Sequence, residues 1–251
     1  MTSRAAVDRL PAAGRTLVNM AKRDMDALVG MLDLSSPEAA RDAVLEIMPQ
    51  LVREYGEIAS TAAAEWYEDI RAAAGVTTRH TTALSGGADM AQVEASARYA
   101  TGHLFGENPL AMTGLLGGML QRYIMYGMRD TVRRNTASDR ARPRYARVPS
   151  GAKTCAFCEM LASRGFVYHS EASSGDAARK GFGDDFHDDC DCQVVPEFDR
   201  DQHHIDGFDP DAMYDRYRRA RDKAGSGDQS DILKALRRLC PENFTDGIQP
   251  E

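Results

Sequence analysis

The chain has 251 residues, 43% hydrophobic and 27% charged, with a net charge of −7. That length can bury a substantial core in one large or two modest domains, and the composition is that of a globular protein, not a disordered or fibrous one. The acidic balance excludes a protein that coats nucleic acid with its whole surface. The opening MTSRAAVDRLPAAGR has no signal-peptide apolar core, which predicts synthesis and residence in the cytoplasm. The most membrane-like stretch, 109–120, is cut off by Gln121-Arg122. It is too short to span a bilayer, so a buried helix and no membrane contact are expected.

The first 135 residues read as helices. Leu17, Met20, Met25, Leu28 and Met31 recur at roughly helical intervals. Ser36-Pro37 then supplies an N-cap followed by proline, and Ser35 to Glu38 fits a capping box. Val44, Ile47, Met48, Leu51, Tyr55, Ile58, Ala62 and Trp66 follow one face, with Trp66 as a core residue and Gly75 as the stop. Pro49 inside that pattern predicts a kink or a split into two helices. LSGGAD at 84–89 reads as a turn, and a helix over about 90–105 follows. Asn108-Pro109 repeats the cap-then-proline signal ahead of a helix over about 109–134 that contains Gly114, Gly117, Gly118 and Gly127. Each interior glycine costs about 1 kcal/mol relative to alanine, so very close packing against a neighbour is expected there.

Composition changes near 135. Residues 129–147 carry seven arginines, Arg129, Arg133, Arg134, Arg140, Arg142, Arg144 and Arg147, against Asp130 and Asp139. The stretch from 136 to 147 has turn formers and no apolar period, which predicts a linker or an extended arm. Residues 184–215 are the opposite, with twelve acids against Arg200. Val194-Val195 and Phe166-Val167-Tyr168 are candidate short strands in the segment between, which has few large apolar residues. Charged helices at about 209–223 and 230–239, separated by AGSGDQ, end the chain. Ile232, Leu233, Leu236 and Leu239 share a face of the last one.

The chemistry concentrates in TCAFC at 154–158 and FHDDCDC at 186–192. In a reducing compartment, paired thiols are more often metal ligands or redox groups than disulfides. A C-x2-C turn aims two thiolates at one ion, and a second pair completes a tetrahedron. Cys155, Cys158, His187, Cys190 and Cys192 are five candidates for four places. The preferred set is Cys155, Cys158, His187 and Cys190, with Cys192 as the alternate and zinc as the metal. Reduced buried thiols, or a disulfide closed outside the cell, are the other readings. A catalytic Cys155 or Cys158 would need a histidine base beside it, and a thioredoxin-like role would need a βαβ setting. Asp184, Asp185, Asp188, Asp189 and Asp191 fit no EF-hand loop and read as a solvated acidic loop; His203-His204 reads as surface.

RVPSGAKTCAFCEMLASRGFVYHSE, a variable stretch, and then FHDDCDCQVVPEF resemble the C-terminal module of the Mu F-like minor head proteins of tailed bacteriophages. The likeness is to the branch in phages of actinobacteria called VG15, whose pattern falls on Cys155, Cys158, Gly165, His187, Cys190 and Cys192. YDRYRRARDKAGSGDQSDILKALRRL at 214–239 also resembles that branch's tail. The resemblance is specific over about 142–240 and architectural over 1–135. It implies a virion component made in the host cytoplasm and placed in the head interior or at the portal vertex. The implied partners are the portal protein, the major capsid or scaffolding protein and packaged double-stranded DNA. Many relatives read His-Pro-x-Cys-Arg-Cys where this chain has Asp188, Asp189 and Asp191. That departure moves the expected DNA or portal contact to the arm residues Arg133, Arg134, Arg140, Arg142, Arg144 and Arg147, which can release counterions at phosphates.

The expectation is a mainly α protein: a helical region (1–135) that docks on portal or capsid, an Arg-rich linker (136–147), a small α+β Cys/His module (148–200) and a charged helical tail (201–251). Its expected function is that of a minor capsid protein with no catalysis, tied to DNA packaging or ejection. The alternatives are a head maturation protease or a metal-dependent DNA-processing enzyme. The chain has no G-x-S-x-G elbow, and HDDCD is no recognisable two-metal carboxylate arrangement.

Overall fold

The computed structural model describes residues 3–168, 188, 190–199, 201 and 204–248. Helix α1 spans Arg4–Val29, α2 Pro37–Ala73, α3 Met90–Thr101 and α4 Ala111–Ser138. Strand β1 (Arg144–Val148), helix α5 (Ala156–Ala162) and strand β2 (Gln193–Glu197) follow, and then helices α6 (Pro210–Ala224) and α7 (Gln229–Leu239). The architecture is mainly α, as the sequence predicts, with one two-stranded sheet and a helical C-terminal part. No helix among the described residues is long and apolar enough to cross a membrane.

The body forms because α4 is apolar on several sides and needs partners around it. It packs mainly along α2, with α1 and α3 closing two further flanks. Where α2 and α4 cross, a Cβ on Gly127 would lie 2.8 Å from Ser60 Oγ and 2.9 Å from the Gly56 carbonyl oxygen. The expected close approach is therefore real at Gly127; at Gly114 there is no neighbour within 4 Å. Trp66 is buried and its indole Nε1 donates to the Ala6 carbonyl at 2.7 Å, which ties α2 to the start of α1.

Several local expectations are corrected. Helix α2 runs through Pro49 as one element, so the split into two helices does not occur, and its Ser36 N-cap makes no side-chain capping bond; the Ser35 and Ser36 hydroxyls donate to Asp33 instead of forming a capping box. The buried face of α1 is Val7, Leu10, Pro11, Gly14, Val18, Ala21, Met25 and Val29. Met20 and, on α2, Ile58 face solvent because they lie off the buried helical stripes, and Met31 does so beyond the end of α1. Gly75, at φ +69°, ends α2 as expected.

The stretch from 136 to 147 differs most from expectation. It supplies the last turn of α4 and most of β1, and is not an extended arm. β1 and β2 are antiparallel, with Arg144 opposite Glu197, Arg147 opposite Val194 and Val148 opposite Gln193. Pro196 sits opposite Tyr145, whose N–H and carbonyl instead pair with Tyr168 on the other side, at 2.8 and 3.2 Å. The proline thus removes no ladder bond. Tyr168 makes only an isolated bridge, whereas Val194 and Val195 do lie in a strand. An isolated two-stranded ribbon is marginal in water, and this one is stable because both faces are covered, by α4 and by α5.

One apolar cluster runs from Val7 in α1 through the body helices to Cys155, Cys192, Val194 and Phe208. A second joins α5 to the tail through Met160, Leu161, Ala220, Ile232, Leu233, Leu236, Cys240 and Phe244. Helix α5 lies between them. Leu239, the fourth member of the expected α7 face, is exposed.

Candidate metal centre

Helix α5 begins at its N-cap, Cys155, whose Sγ accepts the Cys158 backbone N–H at 3.2 Å. This first turn brings the C-x2-C thiols side by side. The lead into β2 delivers Cys190 and Cys192 from the other direction. Cys158 Sγ lies 3.3 Å from Cys190 Sγ, and Cys190 Sγ lies 3.4 Å from Cys192 Sγ. These three sulfurs are all within 4.8 Å of one another, with Cys155 next to Cys158. All four thiols are buried and none is in a disulfide.

Two arginines face the cluster. Arg147, carried on β1, directs Nη2 and Nε at Cys192 Sγ, at 3.0 and 3.3 Å. Arg129, 0% exposed on α4, donates through Nε to the Cys192 carbonyl at 2.9 Å and through Nη2 to the Cys190 carbonyl at 2.7 Å. Burial works against the charge on Arg147, and the sulfurs of Cys192, Cys158 and Cys190 more than offset it. Asp191 accepts from Gly151 N–H at 3.0 Å and Thr154 Oγ1 at 2.7 Å. It holds in place the loop that leads into Cys155. On the far side, Asp246 accepts from Ala156 N–H at 2.9 Å and Arg237 Nε at 2.7 Å, so the tail caps α5.

The thiols do not ionise alike. Hydrogen bonds from Cys158 and Cys192 lower the Cys190 pKa far below the ordinary thiol value; burial opposes them, and the charges of Arg129 and Arg147 add to them. Cys158 is raised by hydrogen bonds to Cys155, Cys190 and Cys192 and by burial. Burial, with the charge of Cys190, pushes Cys192 up to about 12. The cluster alone therefore favours one negative charge. A bound cation changes this, because a coordinating thiol is deprotonated outright. The residues fit a thiophilic ion: a tetrahedron with metal–sulfur bonds of about 2.3 Å has sulfur–sulfur edges of about 3.8 Å, close to the spacing present. Such an ion would be held by Cys158, Cys190 and Cys192 together with one further ligand.

His187, the remaining ligand in the preferred set, lies outside the described residues, as do Asp184, Asp185, Asp189 and His203. Asp188 is packed on α4, 3.4 Å from Arg122 Nε, and is not a freely solvated acid. His204 is exposed, 3.2 Å from Asp211. The arginine candidates separate into two groups. Arg133 is buried and pairs with Asp130, and Arg147 is buried against Cys192, so neither presents its charge to a phosphate. Arg134, Arg140 and Arg142 are exposed, and Arg144 is half-buried. Sequence reasoning missed Arg129 and Arg147 as partners of the thiols; the one signal was their charge beside otherwise apolar stretches.

Together these features define a helical protein in which a buried thiol centre joins the body to a small sheet and a helical tail. The family model described as VG15 protein matches residues 1–220, and the chain belongs to that family, which is phage-related. The match takes in the helical body as well as the thiol segment, and so is broader than the specific resemblance read from the sequence. No curated protein and no solved structure matches the chain.

Proposed function

We propose that this VG15-family protein is a non-catalytic structural component of a phage head: a minor capsid protein of the Mu F-like kind, seated at the portal vertex and engaged with packaged or exiting DNA. Its thiol centre acts as a metal staple, with zinc as the ion. The observation that carries the structural reading is the burial of all four thiols between α4, α5 and the sheet, with Arg147 seated on Cys192. A nucleophilic thiolate has to meet its substrate, and a staple has to be enclosed. The position of the centre, where apolar clusters of body and tail meet, suits a part that keeps a virion component rigid.

The protease alternative would need an accessible thiolate with a histidine base, and these enclosed sulfurs weigh against it. The reading is tested by quantitative mass spectrometry of purified virions of the phage that encodes the chain, and by co-purification with its portal protein. Low-copy presence in mature heads, with portal retained on the tagged chain, is expected. Absence from particles, or cleavage of head proteins that depends on Cys155 or Cys158, would overturn it.

A further inference from the structure

We propose that the ion is held by four thiolates, those of Cys155, Cys158, Cys190 and Cys192, and that Arg147 and Arg129 offset the charge of the resulting centre. This inference rests on the metal-staple reading above and specifies its ligands. It differs from the preferred sequence reading in needing no histidine and in making Cys192 a full ligand.

Cys192 has a guanidinium seated on its sulfur, with both Nε and Nη2 of Arg147 directed at Sγ. Two donors on one sulfur suit a metal-bound thiolate, since coordination removes the proton that burial otherwise keeps on Cys192. Cys155 is placed to join it. Its Sγ accepts the Cys158 N–H across the C-x2-C turn, and backbone N–H donors of this kind orient and stabilise a ligating sulfur. Cys155 stands beside Cys158 but outside the three sulfurs that lie within 4.8 Å of one another, so its side chain has to close in on the ion to complete the set.

Charge balance points the same way. A divalent ion with four thiolates carries two negative charges, and with three thiolates and a neutral imidazole it carries one. Burying either without compensation is costly. Arg147 and Arg129 are both buried here, one against a sulfur and the other against the carbonyls of the two ligand residues 190 and 192. The buried acids Asp130, Asp139 and Glu159 have cations of their own: Asp130 pairs with Arg133 and Arg134, Asp139 with Arg71, and Glu159 with Arg216. Two guanidinium groups and a doubly negative centre form a neutral buried unit.

The test uses the full chain, reduced, stripped of metal and titrated with cobalt(II), whose visible spectrum reports the number of thiolates. Wild type and His187→Ala should give the same tetrahedral spectrum. Cys155→Ser should lose about a quarter of the sulfur-to-cobalt charge-transfer intensity, one thiolate in four. Arg147→Met should keep the wild-type spectrum while binding cobalt about 10- to 100-fold more weakly in competition with a chelator. If Cys155→Ser does not fold, zinc-edge X-ray absorption on the unaltered chain decides: four sulfurs and no imidazole are expected. A spectrum changed by His187→Ala, or imidazole at the zinc edge, overturns the four-thiolate set and leaves the staple standing. Undiminished affinity in Arg147→Met overturns the charge role. No cobalt bound by wild type removes the staple reading and this inference with it.

Discussion

Arg147 Nη2 lies 3.0 Å from Cys192 Sγ, and both side chains are buried. The strand register puts Arg147 opposite Val194, two residues beyond that cysteine, so the pairing of β1 with β2 is what brings the guanidinium to the sulfur. Removing one partner of a buried charged pair leaves the other uncompensated, typically at about 3–5 kcal/mol. Arg147→Met should lower the unfolding free energy of the metal-loaded protein by that order in urea titration. Arg147→Lys should recover only part of it, because an ammonium cannot supply the planar double donor.

The crossing of α2 and α4 allows a paired test on one helix. Gly127→Ala would place a methyl 2.8 Å from Ser60 Oγ and 2.9 Å from the Gly56 carbonyl oxygen, forcing backbone to move, at about 1–3 kcal/mol. Gly114→Ala meets no atom within 4 Å and should stabilise the same helix by up to about 1 kcal/mol. Thermal melts of the two variants should shift in opposite directions. Shifts of the same sign would mean that the glycines matter only for backbone entropy.

Asp139 joins the end of α4 to α2. Burial alone would raise its carboxyl pKa, but hydrogen bonds from Arg71, the Ala141 N–H and Tyr67 outweigh burial and hold it below the ordinary aspartate value. Tyr67 Oη donates at 3.1 Å and Arg71 Nε at 2.8 Å. A depressed folded-state pKa means that this contribution is complete above the ordinary aspartate range and is lost as pH falls through the folded value. Asp139→Asn should therefore destabilise near neutrality, by about 1.5–3 kcal/mol for each charge-assisted hydrogen bond removed, and should flatten the acid limb of stability against pH. An acid limb identical to wild type would assign the acid sensitivity to other carboxylates.

The exposed arginines make a separate prediction about DNA. Arg140 lines an open cavity of about 440 Å³ with Arg79, His80, Thr81 and Ser138, whereas Arg133 is buried on Asp130. If this face meets duplex DNA, Arg79→Ala with Arg140→Ala should reduce the slope of log affinity against log salt by about 0.9 for each phosphate no longer neutralised. Arg133→Ala should leave that slope alone and instead lower stability. Fluorescence anisotropy at several salt concentrations measures the first effect, and a slope unchanged in the double variant removes this face from the DNA reading.

Much of the fold is legible in the sequence because apolar period, proline caps and glycine stops act locally. The buried positions Val44, Met48, Leu51, Tyr55 and Trp66 in α2 follow from spacing alone, as does the left-handed Gly75. The α1 face is harder to read, because exposed Met20 and Met31 outweigh the small buried Gly14 and Ala21 in any apolar pattern. At 136–147 a stretch with four arginines and no apolar period looks solvated, yet Tyr145 and Arg147 are buried against Tyr168 and Cys192, residues over twenty positions away. The cysteine pairs are evident from their spacing. Their arginine partners are not, since Arg129 on α4 reaches residues 61 and 63 positions further along the chain, and only tertiary structure brings them together.

The most direct test of the staple is native mass spectrometry of the purified, reduced chain alongside Cys158→Ser. One zinc per chain in wild type is expected. Its loss in the variant should come with protease sensitivity over 144–197, where β1, α5 and β2 lie. A wild-type mass equal to that of the bare polypeptide, with all four clustered thiols reacting freely with alkylating reagent in the folded protein, would contradict the metal centre and restore a thiol enzyme as the better reading.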